Sequence, residues 1–443
     1  MSANASGEAA SDAENTATEE TADDRARSLQ EHNSNVGGTG LLRTLSAGSG
    51  AAGTFRIHML LDWFQTTSFL CYGGNPCHLE GGGPDTTADS ATHFGANVGL
   101  SVTPLPYLEA YASLRSQSNS NDRGAPQLLQ VLGDSLIGVK GFTPNKIGQT
   151  FNFGGAAELL LLNGAGGVGL DSSSTSFRVR ALSTLDFRQP NEAGIPIRLH
   201  ANVGYLFDNS SSLIEGIESA RKASGDTRGP KITRTERFGL GINRVDQFQM
   251  SLGVEGMFAA VRPFVEYHLG VASNRQNYEC DPNSGTFSGG DQCLAQSDFS
   301  GMPSTLTLGA RAYPFLKGLE AIAAFDIGTT GTSSFIEEVA PTPQWDLWLG
   351  LGYAFDTEEA PAPQPQIVER VVGSAQGSQR YIRGFVHEKD KADPIANAIV
   401  RFDGRALTGL VTGGDGRFVS GNVEPGNYTL SIHADGYKDA QCT

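Results

Sequence analysis

The chain has 443 residues and a formal net charge of −16, from 48 acidic and 32 basic side chains. Phosphate binding needs a basic surface, so this balance argues against a nucleic-acid partner. No run of about 18 apolar residues occurs, which excludes a membrane-spanning α-helix. The 56 glycines and the many short alternating segments indicate an all-β fold.

Residues 1–53 combine acidic side chains with Ala, Ser, Thr and Gly and contain no apolar core segment. This composition is typical of a disordered, solvated tail, which is what we predict for the segment. It also lacks the basic start and apolar centre of a secretory signal peptide. We therefore expect an export signal to be absent from this chain or already removed.

From residue 54 to residue 356 apolar and polar side chains alternate with a period of two, as in strands with one apolar face. Phe55 and Ile57, for example, share one face, and Arg56 and His58 share the other. The runs are long and aromatic residues lie near their ends, which favours a transmembrane barrel over a soluble β-sandwich. We predict an up-and-down antiparallel β-barrel of about twelve strands in the outer membrane, with ten and fourteen as alternatives.

Long and short connections alternate along this region, as in outer-membrane barrels, where the short turns are periplasmic. Residues 69–90, 208–230 and 273–302 form long polar connections, whereas residues 102–107 and 313–318 form short ones. An even number of strands puts both ends of the barrel on the same side. We therefore expect whatever follows the barrel to lie in the periplasm.

Two stretches beside the longest connections give more local predictions. Residues 238–254, FGLGINRVDQFQMSLGV, keep their apolar side chains in a single parity and predict one long strand. Ser212–Lys222 carries a short helical pattern. We predict a helix packed within the loop, with folding back into the barrel as a plug as the alternative.

The polar strand face of such a barrel surrounds its lumen, where charges of both signs pair with one another or line a polar pathway. If the lumen conducts, its charge and width set the selectivity. The residues predicted to face the lumen are Arg56, His58, Asp62, Glu109, Arg115, Asp134, Glu158, Arg178, Arg180, Arg198, His200, Glu266, His268, Arg311, Glu320, Asp326 and Asp346.

Four cysteines lie in pairs within Gly-rich loops, Cys71 with Cys77 and Cys280 with Cys293. We predict two disulfides, which form in an oxidising compartment outside the cytosol. Neither pair has the spacing of a zinc site, so we expect no metal. Cys442 is left without a predicted partner.

Residues 357–379 are acidic and proline-rich and predict a linker. In residues 380–443, short strands separated by glycine-rich turns predict a small β-sandwich. Gly414-Asp415-Gly416 and Pro425-Gly426-Asn427-Tyr428 lie in a segment that resembles the carboxypeptidase regulatory-like domain, a transthyretin-type sandwich. In that family a final strand follows the element seen here as Gly436-Tyr437, so the resemblance implies a domain that is cut short.

The order of barrel, linker and sandwich resembles a group of OmpA-family outer-membrane proteins. Two stretches carry this resemblance, GTGLLRTLSAGSGAAGTFR at residues 38–56 and FGLGINRVDQF at residues 238–248. The resemblance implies an outer-membrane location and a periplasmic sandwich. The family's peptidoglycan-binding domain has no counterpart in this sequence, so attachment to the cell wall is not implied.

Two sequence features suggest a chemical function, and each is weighed against a structural explanation. Gly164-x-Gly166-x-x-Gly169 has the spacing of a dinucleotide fingerprint, but a polar loop and a strand follow it where the motif needs a helix. We interpret it as a hairpin loop. A barrel-embedded hydrolase could use His58, His200 or His268 as a general base. No motif places a nucleophile beside them, so we predict no catalytic residue and no cofactor.

The sequence therefore predicts an outer-membrane envelope protein, porin-like or structural, that is not an enzyme. The alternative function is surface binding or adhesion through the disulfide-closed external loops. The expected partners are outer-membrane lipid together with small polar solutes or extracellular partners.

Overall fold

The structure is a computed structural model of the chain. It describes residues 22–443 except 73–76, 79–83, 86, 125, 145–149, 164–172, 189–193, 226–228, 277, 281–290, 315, 359–364, 370–380, 406, 422 and 425. Two compact units are present, one of residues 24–358 and one that contains residues 359–443. No helix in the described part of the chain has the length and apolar character needed to cross a membrane.

A closed antiparallel barrel forms the first unit. Its strands are β1 (Thr54–Thr67), β2 (Ser90–Leu105), β3 (Leu108–Asn121), β4 (Leu128–Phe142), β5 (Phe151–Asn163), β6 (Ser173–Asp186), β7 (Ile197–Phe207), β8 (Asp246–Gly256), β9 (Val261–Asn274), β10 (Ser304–Ala312), β11 (Leu319–Thr330) and β12 (Trp345–Asp356). Each strand pairs with its neighbour in sequence, and β12 pairs with β1, where Thr54 lies opposite Asp356. The predicted twelve-stranded up-and-down barrel is confirmed.

The apolar face of the strands points away from the protein. Ile57, Leu252 and Leu351 are 50%, 60% and 61% exposed, whereas Arg56 and His58 on the other face of β1 are buried. In a soluble sandwich or small barrel this polarity is reversed, with the apolar face inside. The soluble alternative is therefore wrong.

Aromatic side chains form pairs on this outer face near both ends of the strands. Phe55 stacks on Phe355 with ring centroids 5.3 Å apart, and at the other end Trp63 meets Trp345 edge-on at 5.5 Å. Such pairs stabilise neighbouring strands beyond the area that they bury. They also bound the exposed apolar belt at two levels.

The short connections are tight enough to require glycine in at least one case. Gly318 precedes β11 with a φ of 82°, and a Cβ there would lie 1.9 Å from the carbonyl oxygen of Ala354. Any other residue therefore requires a shift of the backbone. Thr54 and Asp356, the two ends of the barrel, lie at the end that carries the short connections.

The single long strand predicted for residues 238–254 is wrong in its first half. Two helices precede β8, namely α2 (Glu215–Ser224) and α3 (Arg234–Leu240). The α3 helix begins with a capping box between Thr233 and Glu236 and ends at Gly241, whose φ is 62°. These start and stop signals outweigh the parity of a few apolar residues. The helix predicted at Ser212–Lys222 corresponds closely to α2.

The predicted disordered tail over residues 1–53 is also wrong for residues 25–53. Residues 1–21 lie outside the described residues. A short helix, α1 (Ala22–Ser28), opens the described part, and Leu41, Leu42 and Leu45 are fully buried. The acidic, polar composition of the whole tail concealed these few apolar residues, which pack inside the barrel.

The second unit is a small β-sandwich with its own core. One sheet has the order β13 (Pro365–Glu369), β14 (Arg383–Glu388), β17 (Arg417–Val419), and the other β16 (Leu410–Val411), β15 (Ile399–Phe402), β18 (Leu430–His433), β19 (Ala440–Cys442). Val386, Val400 and Ile432 are buried between them. Two expectations need correction, because part of the predicted linker forms β13 and a final strand, β19, does follow Tyr437.

Candidate functional site in the barrel interior

The structure places every predicted lumen-facing residue on a barrel strand, on the face opposite to the exposed apolar side chains. Arg115, Asp134, Arg180 and His268 are half-buried, and the others are buried. Asp134 accepts a hydrogen bond from the Asn163 N–H, 2.7 Å away. The polar faces of the twelve strands thus form one continuous interior wall.

Glu255 and Arg262 also belong to this wall although the prediction omitted them, and both are buried on the interior face. Lys140, whose charge the sequence places in the same luminal network, is buried there too. Glu255 is out of phase with the exposed Val254, so the alternation that identified its neighbours also applies to it. Arg262 lies beside Pro263, at the beginning of β9, where the turn signal hid its strand position.

A segment that we call the N-terminal plug, residues 29–49, fills the interior from the end with the short connections. It folds back on itself through bridges between Asn33 and Thr39 and between Gly40 and Leu45. At its apex Leu41 and Leu42 pack against side chains of four strands: Leu60, Phe264, Ile322 and Trp348. These strands form one side of the barrel, and Leu45 packs against Tyr111, Leu136 and Leu182 on the other side, so the plug crosses the bore.

Basic side chains of the wall donate hydrogen bonds to backbone carbonyl groups of the plug. Lys140 Nζ lies 3.1 Å from the Thr39 oxygen and 2.7 Å from the Gly48 oxygen. The same kind of contact recurs around the wall, with Arg56 on the Glu31 oxygen at 2.6 Å, Arg262 on the Gln30 oxygen at 3.0 Å and Arg311 on the Asn33 oxygen at 3.2 Å.

Acceptor groups of the wall bind backbone N–H groups of the plug in the same way. Glu109 accepts from the Thr39 N–H at 2.7 Å, and Glu266 accepts from the Thr44 N–H at 2.7 Å. Asn202 both accepts from and donates to the backbone of Leu45, each time at 2.8 Å. Thr184 accepts from the Ala47 N–H at 2.8 Å. Buried backbone groups need such partners, so the wall replaces the sheet that this segment lacks.

Ion pairs complete the attachment of the N-terminal segment. Glu31 pairs with Arg198 at 2.9 Å, and Arg43 pairs with Asp326. At the start of the segment, Arg25 pairs with Asp356 and Glu358 and donates to the Ala52 oxygen at 2.9 Å. Arg25 therefore ties together both limbs of the N-terminal segment and the end of β12.

Other wall charges pair with each other. Glu158 binds Arg178 and, at 3.1 Å, Arg180, and it accepts from the Tyr111 hydroxyl at 2.9 Å. Asp62 lies 2.6 Å from His93 and 3.0 Å from Arg115. The sequence predicted pairs of opposite charge in the lumen but not which residues meet, and the closed barrel brings these together from different strands.

The three histidines of the hydrolase alternative do not converge on one centre. His58 contacts Asn97 at 2.9 Å, and no partner is described for Nδ1 of His268. His200 lies 3.0 Å from the Thr184 hydroxyl and 3.6 Å from Glu255. The Thr184 oxygen also accepts from the Ala47 N–H, so this trio contributes to the attachment of the plug.

The other end of the barrel is covered by a segment that we call the lid, residues 208–245, which contains α2 and α3. Phe238 of α3 contacts Phe64 and Phe69 with ring centroids 5.9 and 5.1 Å apart. Gln117 of β3 donates to the Gly239 oxygen at 2.8 Å. The α3 helix thus packs against β1 and β3 at this end of the barrel.

The long connection between β9 and β10 holds the lid through Asp291. Asp291 binds Arg234 at 2.6 Å and also Arg237, both on α3, and all three side chains are almost fully buried. Asp291 lies two residues before Cys293, whose disulfide to Cys280 is present. The other predicted pair, Cys71 with Cys77, lies outside the described residues because the Cys77 side chain is not described.

A second fastening joins the lid to the connection before β12. The guanidinium group of Arg244 lies 4.4 Å from the centre of the Tyr278 ring. The backbone N–H of Arg244 donates to the backbone oxygen of Glu338 at 2.8 Å. The Glu338 carboxyl accepts from the Leu294 N–H at 3.0 Å, and burial raises its pKa. The lid therefore contacts both neighbouring connections.

Replacement of Asp291 by Asn is expected to loosen α3. Removing one partner of a buried ion pair costs about 3–5 kcal/mol, because the other partner stays buried without compensation. Two arginines lose their carboxylate here, so the cost should appear as faster hydrogen exchange of the α3 amides and as trypsin cleavage after Arg234 or Arg237. Asp298→Asn, at an exposed position of the same connection, serves as the control. Equal protection in both variants would refute this role of Asp291.

Comparison with known proteins gives one family match. Residues 381–443 match the carboxypeptidase regulatory-like domain. No curated protein matches the sequence. The predicted resemblance of the C-terminal sandwich is thus confirmed, and the resemblance to the OmpA family stays a prediction.

Solved structures of membrane barrels align with the chain at low similarity. An outer membrane channel from Pseudomonas putida F1 has a TM-score of 0.39 and 10% identity, over 70% of this chain and 98% of that one. The NanC porin gives 0.35 and 7%, over 67% and 98%. The transport unit of the autotransporter AIDA-I from Escherichia coli gives 0.33 and 9%, over 76% and 98%. The chain is similar to these proteins in its barrel, and over residues 381–443 it is similar to the carboxypeptidase regulatory-like domain.

Proposed function

We propose that this protein is a gated outer-membrane β-barrel of a Gram-negative envelope, closed by its plug and lid and opened for small polar solutes when both withdraw. The exposed apolar belt and the paired aromatic side chains at its two levels support the membrane location. The charged interior wall supports a polar pathway, since these side chains would line a hydrated bore once the plug has withdrawn.

The orientation follows from the connections. Short turns of outer-membrane barrels are periplasmic, and Thr54 and Asp356 lie at the short-connection end. On this proposal the plug enters from the periplasm, the C-terminal sandwich is periplasmic, and the lid faces the outside of the cell. The Cys280–Cys293 disulfide then lies in an oxidising environment.

The observation that carries the proposal is the way in which the plug is held. Hydrogen bonds between two backbone groups, as described for residues 30–48, all stay within the N-terminal segment. Side chains of the wall make the hydrogen bonds that attach the plug. Withdrawal of the plug therefore breaks side-chain contacts and leaves the strand pairing of the barrel intact. Water can replace those contacts as it enters the bore.

A reversible crosslink tests whether the plug is a gate. Ser101 Oγ on β2 donates to Asn33 Oδ1 of the plug at 2.8 Å, so a small shift of the plug would bring cysteines at the two positions to disulfide distance. In a protein that also carries Asp291→Asn to loosen the lid, we expect discrete current steps in planar bilayers when the Asn33→Cys/Ser101→Cys pair is reduced. Oxidation should abolish them.

The controls separate the crosslink from other effects of oxidation and reduction. Each single-cysteine variant, and the Asp291→Asn protein with neither cysteine, should conduct equally under oxidising and reducing conditions. Currents that persist in the oxidised double-cysteine protein would show that the plug does not close the pore. Silence of every variant would favour the second candidate, a permanently closed structural barrel, which the covering of both ends supports.

A further inference from the structure

Arg43 projects from the apex of the plug into a site formed by the wall. Its guanidinium group pairs with Asp326 of β11 and lies 5.4 Å from the centre of the Trp348 ring on β12. Trp348 in turn donates its indole N–H to Asp326 at 2.9 Å. The guanidinium group is thus bound by a carboxylate and by the face of an aromatic ring at the same time.

Asp346 adds a second carboxylate to this site. It lies directly across the strand pair from Asp326 and is 5% exposed. Its Oδ1 has no hydrogen-bond partner among the described residues. A buried carboxylate oxygen without a partner is costly, and a second cationic donor would relieve that cost.

The wall itself supplies no counter-ion to these two carboxylates. Among the described residues, Asp326 forms an ion pair with Arg43, and Asp346 forms none. Arg115, which also lies near the Trp348 ring at 5.8 Å, is paired with Asp62. When the plug leaves, the wall is therefore short of positive charge at this level.

We propose that Asp326, Asp346 and Trp348 form a binding site for the guanidinium or ammonium group of a solute, and that Arg43 occupies this site in the closed state. The proposal rests on the gated function only in that the plug must move for a solute to enter. An aromatic face is no ligand for a metal ion, and the described residues contain no cluster that could hold one. Organic cations are thus the class of solute that the site selects.

Calorimetry with methylguanidinium chloride tests the site in the full-length, detergent-solubilised protein, with Asp291→Asn present in every sample so that the probe can enter past the loosened lid. Arg43→Ala should bind the probe saturably, because the vacated space has the shape and charge of a guanidinium group. The double variant Arg43→Ala/Asp326→Asn should bind it at least about tenfold more weakly, since a hydrogen bond to a charged partner is lost. The wild type, with Arg43 in place, should bind it at least about tenfold more weakly than Arg43→Ala.

Arg27→Ala is the matched control, because Arg27 is an exposed arginine of the same segment and its removal vacates no interior site. It should behave as the wild type. Titration of sodium chloride at equal ionic strength corrects for screening. If Arg43→Ala does not fold, Arg43→Gln keeps an uncharged polar side chain at the apex, which is too short to fill the guanidinium site, and gives the same test.

Equal probe binding by Arg43→Ala and by the double variant, or no binding by either arginine replacement, would overturn the site. The calorimetric readout does not depend on conduction. Saturable binding together with silent bilayers would therefore contradict the gated function alone, whereas conduction without probe binding would contradict the cation site alone.

Discussion

A barrel that lacks residues 24–49 and carries Asp291→Asn is expected to give long-lived current steps in planar bilayers, with an open probability at least about tenfold above that of either change alone. The plug and the lid cover the bore in series, so current flows only while both are displaced. Deletion of the plug leaves Phe238 of the lid packed on Phe64, and loosening of the lid leaves the plug in place.

A peptide with the sequence of residues 29–49 provides the control for this prediction. The peptide should block the current when it is added to the short-connection side of the barrel that lacks its plug. Lys140, Asn202 and Glu266 can bind the peptide backbone whether or not the peptide is joined to β1. A scrambled peptide of the same composition should not block. Equal block by both peptides, or block from the opposite side alone, would contradict the proposed position of the plug.

Replacement of Glu109 by Leu is expected to release the plug at a cost of about 3–5 kcal/mol, the usual penalty for leaving one buried charge without its partner. Glu109 binds Lys140 at 2.7 Å and the Thr39 N–H at 2.7 Å, and neither charged side chain is exposed. Lys140 is hydrated again once the plug withdraws and water enters. The loss of stability therefore cannot exceed the free energy with which the plug binds the wall, and the barrel should stay folded.

The measurement is the rate of trypsin cleavage after Arg43, which is protected while the plug is seated. Glu109→Leu and Lys140→Met should each accelerate cleavage, and the double replacement should recover a large part of the protection, because it leaves no unpaired charge. Arg188→Gln, at a half-exposed pair on a short connection, should have no effect. Additive effects of the two interior replacements would mean that the side chains do not act as a pair.

Parts of this molecule follow from local patterns and were predicted correctly. The alternation of Phe55, Arg56, Ile57 and His58 fixes both the strand and its lipid-facing side, since successive side chains of a strand point to opposite faces. The same pattern assigns the charged side chains to the other face, where the structure has them buried or half-buried. The glycine-rich turns of residues 380–443 likewise mark the sandwich that the family match supports.

Two local predictions failed, one because a competing signal was overlooked and one because the sequence showed no regular pattern. The stretch around Phe238 has one parity of apolar residues, yet Thr233, Glu236 and Gly241 supply the start and stop of a helix. In the N-terminal segment only a few apolar residues, Leu41 among them, stand among polar and small ones, so no period was visible.

The sequence by itself determined the strands, the face that each turns outward and the sandwich that follows, because these depend on residues a few positions apart. Only the tertiary structure decided what fills the bore. Arg262 meets Gln30 across 232 positions of sequence, and Lys140 meets Thr39 across 101. The plug forms no repeating ladder with the wall, and single side chains from many strands bind its backbone, so no pattern of residues a few positions apart could reveal these partners.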